Sequence, residues 1–179
     1  MNNYGMIIYL AMSFFLYGFL GWVIENLFSY FVKGYFQQDG FLSGPFKPMY
    51  AIAMTILVFF AEFTKVNFFI LLSLCFIVPT LVEYVTGYTI RRYFHKNYWD
   101  YSELNYNYQG LICLSFSIAW TALTFIGIKY FQPYIVNNLL DIISPIAFFI
   151  VVFLSIIIIA DIGATLIKEV NLQRMRIKE

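Results

Sequence analysis

The chain has 179 residues, of which 61% are hydrophobic, 22% aromatic and only 12% charged. Soluble domains carry about 25% charged residues, so a separate water-exposed domain is not expected, and a formal net charge of +1 leaves no electrostatic footprint for a nucleic-acid partner. Crossing a bilayer takes roughly 20 apolar residues, and five runs near that length use up almost the whole chain. The expected fold is an all-α, polytopic membrane helix bundle of about five transmembrane helices in a single integral domain, 1–179.

In chain order, the runs cover about 4–32, 49–63, 66–93, 110–131 and 140–166. Met1 to Gly5 holds no basic residue and no small-residue cleavage site follows, so the first run reads as a retained helix rather than a secretory signal. Residues 167–179 mix Leu166-flanked apolar positions with Lys168, Arg174, Arg176 and Lys178. They read as a basic amphipathic tail that continues the last helix, lies on the inner leaflet among anionic lipids, or is simply solvated.

Basic residues orient the bundle. Lys65 and Lys129 fall on one side. Lys33, Lys47, Arg91, Arg92, Lys96 and the four tail cations fall on the other, nine of the eleven in all. The expected orientation is N-out/C-in, with loops 34–48 and 94–109 both cytoplasmic. The bias towards Phe, Ile, Tyr, Asn and Lys is that of a low-GC bacterial gene, which points to a bacterial plasma membrane. Cys75 and Cys113 lie inside apolar runs, without ligand spacing, and read as two buried thiols. An offset of 58 maps Glu25, Tyr30, Lys33 and Tyr50 onto Glu83, Tyr88, Arg91 and Tyr108, a faint repeat of the kind that builds parallel-repeat transporters.

Three acids lie inside runs: Glu25, Glu83 and Asp161. Intramembrane acids are expensive and face protein or water. Each lies roughly 17 to 22 residues into a run travelling the same way, which at about 1.5 Å per residue gives one common depth in the cytoplasmic third. That depth lets them share one cytoplasm-facing cavity. Gly18, Gly21, Trp22 and Glu25 share a helix face on which small residues admit a close neighbour. Pro79, Glu83 and Gly87 share another. Three readings of the acids stand: pairing with Arg91, Arg92 or Lys33, or with loop amides, as bundle glue, binding of a proton or cation, and contact with a cationic substrate group.

The segment Gly40 to Pro48, with Gly44 and Pro45 at its centre, is either re-entrant or a compact connector whose next helix starts at Pro48. In the second loop, Trp99 and the tyrosines suit an interface, and Asp100 or Ser102 is placed to cap a short interfacial helix. His95, beside basic residues at a helix end, reads as structural. There is no phosphate-binding glycine–lysine loop, metal motif or nucleophile elbow, so neither an enzyme nor a bound cofactor is expected.

The combination Gly21-Trp22-x-x-Glu25, then Gly40-Phe41-Leu42-x-Gly44-Pro45-x-x-Pro48-x-Tyr50, Glu83 with Gly87, and Trp99-Asp100-Tyr101-Ser102 leading to Asn107 and Gly110, resembles the CmpB-like ABC-transporter permease family of small bacterial membrane proteins. The resemblance covers roughly residues 10 to 135. Met49-Tyr50-Ala51 stands where the family is expected to carry Ile-Tyr-Gly. The resemblance implies a permease subunit working with a separate ATPase subunit or another membrane protein, as a monomer or a homo-oligomer among membrane lipids. The expected function is transport or binding of a small or amphiphilic solute at a cavity formed by Trp22, Glu25, Gly44, Pro45, Glu83, Arg91, Trp99, Asp100 and Asp161. The alternative is a non-transporting scaffold or regulatory partner of a lipid or envelope enzyme.

Overall fold

The computed structural model describes residues 5–36 and 40–176. The first residue of the first predicted run, the middle of loop 34–48 and the end of the tail with Lys178 lie outside the described residues.

Helix α1, Met6–Lys33, is an unbroken apolar run of 28 residues that stops where Gly34 turns left-handed and its N–H closes on Tyr30. Helix α2, Pro48–Val58, begins on a proline, whose missing N–H costs nothing at a helix start. It ends in a π-helical turn, Phe59–Phe63. Helix α3, Phe68–Phe94, is capped by the Asn67 side chain, which accepts from the Ile70 N–H at 3.0 Å, and ends at left-handed His95. A two-residue hairpin, β1 Asn107–Tyr108 with β2 Ile112–Cys113, leads into α4, Leu114–Ile126. The α4 axis continues as a π-helical stretch, Gly127–Val136, into α5, Asn137–Ile143. A 3₁₀ turn at Ser144-Pro145-Ile146 joins α5 to the 30-residue α6, Ala147–Arg176.

The result is the expected all-α membrane bundle, with one difference in its spans. Four helices are long and apolar enough to cross a membrane: Met6–Lys33, Phe68–Phe94, Leu114–Tyr134 and Asn137–Leu172. The second run, Pro48–Phe63, is shorter. Pro48 fixes its start, and the π turn followed by Lys65 at φ +50° ends it. At about 1.5 Å per residue it falls short of the roughly 30 Å hydrocarbon layer. The last helix extends into the tail, one of the courses open to it. It passes residue 166 without a break, so most of the predicted tail is helical, and buried Glu169 pairs with Lys96 at 2.6 Å. The fourth run starts at Leu114 rather than Gly110, because Gln109 and Gly110 are left-handed in the hairpin turn. No helix forms at 100–106. Asp100 instead accepts from the Ser102 amide at 3.0 Å and from the Ser102 hydroxyl, folding a turn.

α2 is the hub. It packs against α1 on one side and α3 on the other; α3 packs on α4 and α6 on α1. The contact with α1 depends on glycine. A methyl at Gly18 would enter the Phe46 ring, and one at Gly21 would lie 2.6 Å from Tyr50 Cβ. Ala51, Leu57 and Val58 are wholly buried in the resulting seam. At the far end, Gln132 in the π-helical stretch is also wholly buried. It accepts from Tyr17 Oη at 2.6 Å and donates to Tyr9 Oη at 2.7 Å, and Tyr9 donates on to Asn137 at 2.7 Å. This satisfied polar chain ties α1 to the α4–α5 axis. Both cysteines are buried free thiols.

Candidate functional site

The second end of α1 opens onto a cleft of about 810 Å³, within the range of ligand pockets. Residues of α1, α2, α3 and α4 line it, with residues of both loops and Ile162 of α6. Two carboxylates stand inside it. Glu25 of α1 is ion-paired with Lys47, and Tyr50 Oη donates to its Oε1 at 3.4 Å. Glu83 of α3 is 2% exposed; Tyr101 Oη donates to its Oε1 at 2.9 Å. Its Oε2 is buried without a hydrogen-bond partner among the described residues. The Trp120 indole N–H lies beside this carboxylate and is itself unsatisfied by hydrogen-bond geometry.

Aromatic rings frame the two acids. Tyr50 and Trp120 meet edge-to-face at 5.3 Å, Tyr101 stacks on Phe116 at 4.7 Å, and Phe116 meets Phe28 of α1 at 6.5 Å. Trp99 is fixed by its indole N–H on the Leu111 carbonyl at 2.8 Å and packs over Gly87, where an added methyl would lie 3.0 Å from the ring. Burial first, and the Glu83 charge second, push the Tyr101 phenol well above its ordinary range. At the rim, the Ser102 hydroxyl and amide hold the Asp100 carboxyl below its ordinary value.

Lys47 reaches Glu25 because its loop is held at both ends. The Lys47 N–H donates to the Gly18 carbonyl at 3.0 Å. Asp161 of α6 accepts from the Gly44 N–H at 2.9 Å and from the Ser43 N–H at 3.3 Å. Between these anchors Leu42 and Phe46 are buried with Ala51 against Phe14, Phe15 and Ile158. Helix α2 starts at Pro48, and the segment before it folds back beside Phe14, Phe15 and Gly18 in the middle of α1.

Of the residues singled out in the sequence, Glu25, Glu83, Trp99 and Asp100 line the cleft. Trp22, Gly44, Pro45, Arg91 and Asp161 do not. Trp22 stacks on Phe19 at 6.1 Å. Arg91 is turned to the second loop, donating to Asn97 Oδ1 at 2.9 Å and to the Gln109 carbonyl at 2.7 Å. The expected pairing of the acids with Arg91, Arg92 or Lys33 is corrected accordingly: the cation on Glu25 is Lys47, and the donor on Glu83 is a neutral phenol. Asp161 shares the acids' depth but is spent on loop amides. The repeat is not mirrored at its tyrosines either, since Tyr108 packs on Tyr84 at 5.6 Å while Tyr101 serves Glu83.

Lys47, Tyr50, Tyr101 and Trp120 were absent from the predicted set. Two signals for them stand in the chain. Trp120 lies mid-run, away from the interfaces where Trp settles, and Lys47 is trapped between Pro45 and Pro48. Chemically, the cleft can hold a proton or a cationic group at Glu83 within an aromatic, mostly apolar enclosure.

No solved structure matches the chain. The model of the family described as "Putative ABC-transporter type IV" matches residues 12–166, beyond the stretch that carries the motifs and well into α6. With four helices long and apolar enough to span a bilayer, the chain belongs to this ABC-transporter family and is a multi-pass membrane protein.

Proposed function

We propose that this chain is a transporter component of a bacterial plasma membrane that binds or passes a small or amphiphilic solute in the cleft between α1, α3 and α4. The observation that carries the reading is the pairing of a buried, cation-free Glu83 with about 810 Å³ of accessible, aromatic-lined space.

The reading includes an orientation, N-out/C-in, drawn from the nine cations on one side of the sequence. Contacts support the grouping of those segments at one end. Phe41 meets Phe94 at 5.1 Å, Lys96 meets Glu169, and Asp161 holds Ser43 and Gly44. The cleft then lies in the cytoplasmic part of the bundle, at the end where a separate ATPase subunit of the family's transporters would dock.

Two measurements test this together. Mild-detergent purification at native expression is expected to recover an ATPase in fixed ratio. Proteoliposomes of the recovered complex are expected to take up solute and to lose uptake in Glu83→Gln. Recovery without an ATPase, and no solute movement by the wild type, would move the protein to the scaffold reading.

A further inference from the structure

The cleft has a chemistry that narrows its solute. Its two carboxylates are not equivalent. Glu25 already holds an ammonium, that of Lys47. Among the described residues Glu83 has only neutral donors about it, and its Oε2 is a buried acceptor without a hydrogen-bond partner. The site therefore displays one ammonium–carboxylate pair made by the chain itself and a second carboxylate awaiting a cation. An anionic group at the same place would face Glu83 at close range in a low dielectric. Trp120, Tyr50 and Tyr101 offer ring surfaces beside that carboxylate, the surfaces that bind organic cations. Lys33, the other cation of the lining, is exposed at the rim beyond the acids.

The mouth of the cleft is apolar and lies on spanning helices. Phe28 of α1, Val85 of α3 and Leu123 of α4 line it and are exposed, at 52%, 58% and 41%. Among the described residues α1 makes no extended contact with α3 or α4 beyond the Phe28–Phe116 ring pair, and the opening flanks that pair laterally. At that depth the outside medium is acyl chain, not water. A purely hydrophilic cation has no favourable route through such a mouth, whereas an apolar tail does.

We propose that the cleft takes an amphiphilic organic cation, with its protonated amine against Glu83, Tyr101 and Trp120 and its apolar tail leaving between α1 and α4. This rests on the reading above that the cleft is the solute site. Glu83 supplies the buried, unpaired carboxyl oxygen; Glu25 keeps Lys47 as its partner and shapes the pocket beside it.

Two fluorescent probes that share a fluorophore and differ in head charge test it: dansylcadaverine, a primary ammonium, and 11-(dansylamino)undecanoic acid, a carboxylate. Each is added to the full chain in phosphatidylcholine nanodiscs, with empty nanodiscs as the partition blank, and tryptophan-to-dansyl energy transfer is read. The ammonium probe is expected to give saturable transfer that unlabelled dodecylamine displaces. Glu83→Gln is expected to weaken it by about tenfold or more, the scale for a desolvated charge pair. Glu62→Gln, an acid outside the cleft, is expected to bind as the wild type does. Saturable binding of the carboxylate probe with none of the ammonium probe overturns the cationic class and leaves the cleft as a solute site. Saturable binding of neither overturns both. Should Glu83→Gln not fold, the wild-type contrast between the two probes still decides.

Discussion

A carboxylate that is 2% exposed on a membrane-spanning helix depends on the protein to answer its oxygens. For Glu83 the answer is Tyr101, reaching in from a loop. Tyr101→Phe keeps the ring stacked on Phe116 and removes only the donor, so it should cost about 1–3 kcal/mol, the penalty for a buried acceptor left unpaired. A thermal melt in nanodiscs measures this. The same phenol carries a pH signature. Its pKa is raised above its ordinary 10.0 by burial and by Glu83. Its stabilising contribution is complete below that unfolded value and is lost as the pH rises through the raised one. The wild type should therefore lose melting temperature above about pH 10 more steeply than Tyr101→Phe. Gly21 gives a steric test. Tyr50 Cβ would lie 2.6 Å from an added methyl, too near the backbone for ring rotation to relieve. Gly21→Val should destabilise by about 1–3 kcal/mol through overpacking.

At the scale of elements, the loop Gly40–Lys47 places an ammonium in the cleft, and Asp161 of α6 holds the loop by two amides. Asp161→Ala removes both acceptors. Amide exchange at Ser43 and Gly44 should then speed up by about tenfold or more, the loss of roughly one hydrogen bond's worth of local stability. Exchange across α3 should stay unchanged.

This loop also shows what the sequence can and cannot disclose. The helices, the acids and the small-residue face of α1 follow from periodicity and cost, both local. Lys47 does not. Lys33 is nearer Glu25 in sequence, but Lys33 lies at the helix end, whereas the connector doubles back so that Lys47 binds the Gly18 carbonyl. Asp161 fails for a related reason: counting residues gives depth in the bilayer but not the direction a side chain faces. The bounds expected for α2, 49–63, match the helix, but it was counted as a span because apolar residues buried among helices look, by composition, like residues facing lipid. Trp99 and Asp100 were legible as interfacial residues. That they close a cleft depends on the hairpin turn at Gln109-Gly110, which periodicity does not report.

At the scale of the whole molecule, two parts of α1 do different work. One half is locked to α4 and α5 through the satisfied Tyr9–Gln132–Tyr17 chain. The other half touches α4 at the Phe28–Phe116 pair, makes no extended contact with α3 among the described residues, and lines the cleft. A bundle rigid at one end and open at the other can admit a solute without unfolding its core. Lys96 and Glu169 tie α6 to the loop after α3 at the cleft end.

The most direct measurement of the central claim is native mass spectrometry of the protein released gently from nanodiscs prepared from its own membrane. Occupied wild-type protein should carry an additional small amphiphile in stoichiometric amount. That mass should be absent from Glu83→Gln and present in Glu62→Gln. A wild type that carries no such mass, or a Glu83→Gln variant that carries it equally, contradicts the assignment of the cleft as a solute site anchored at Glu83.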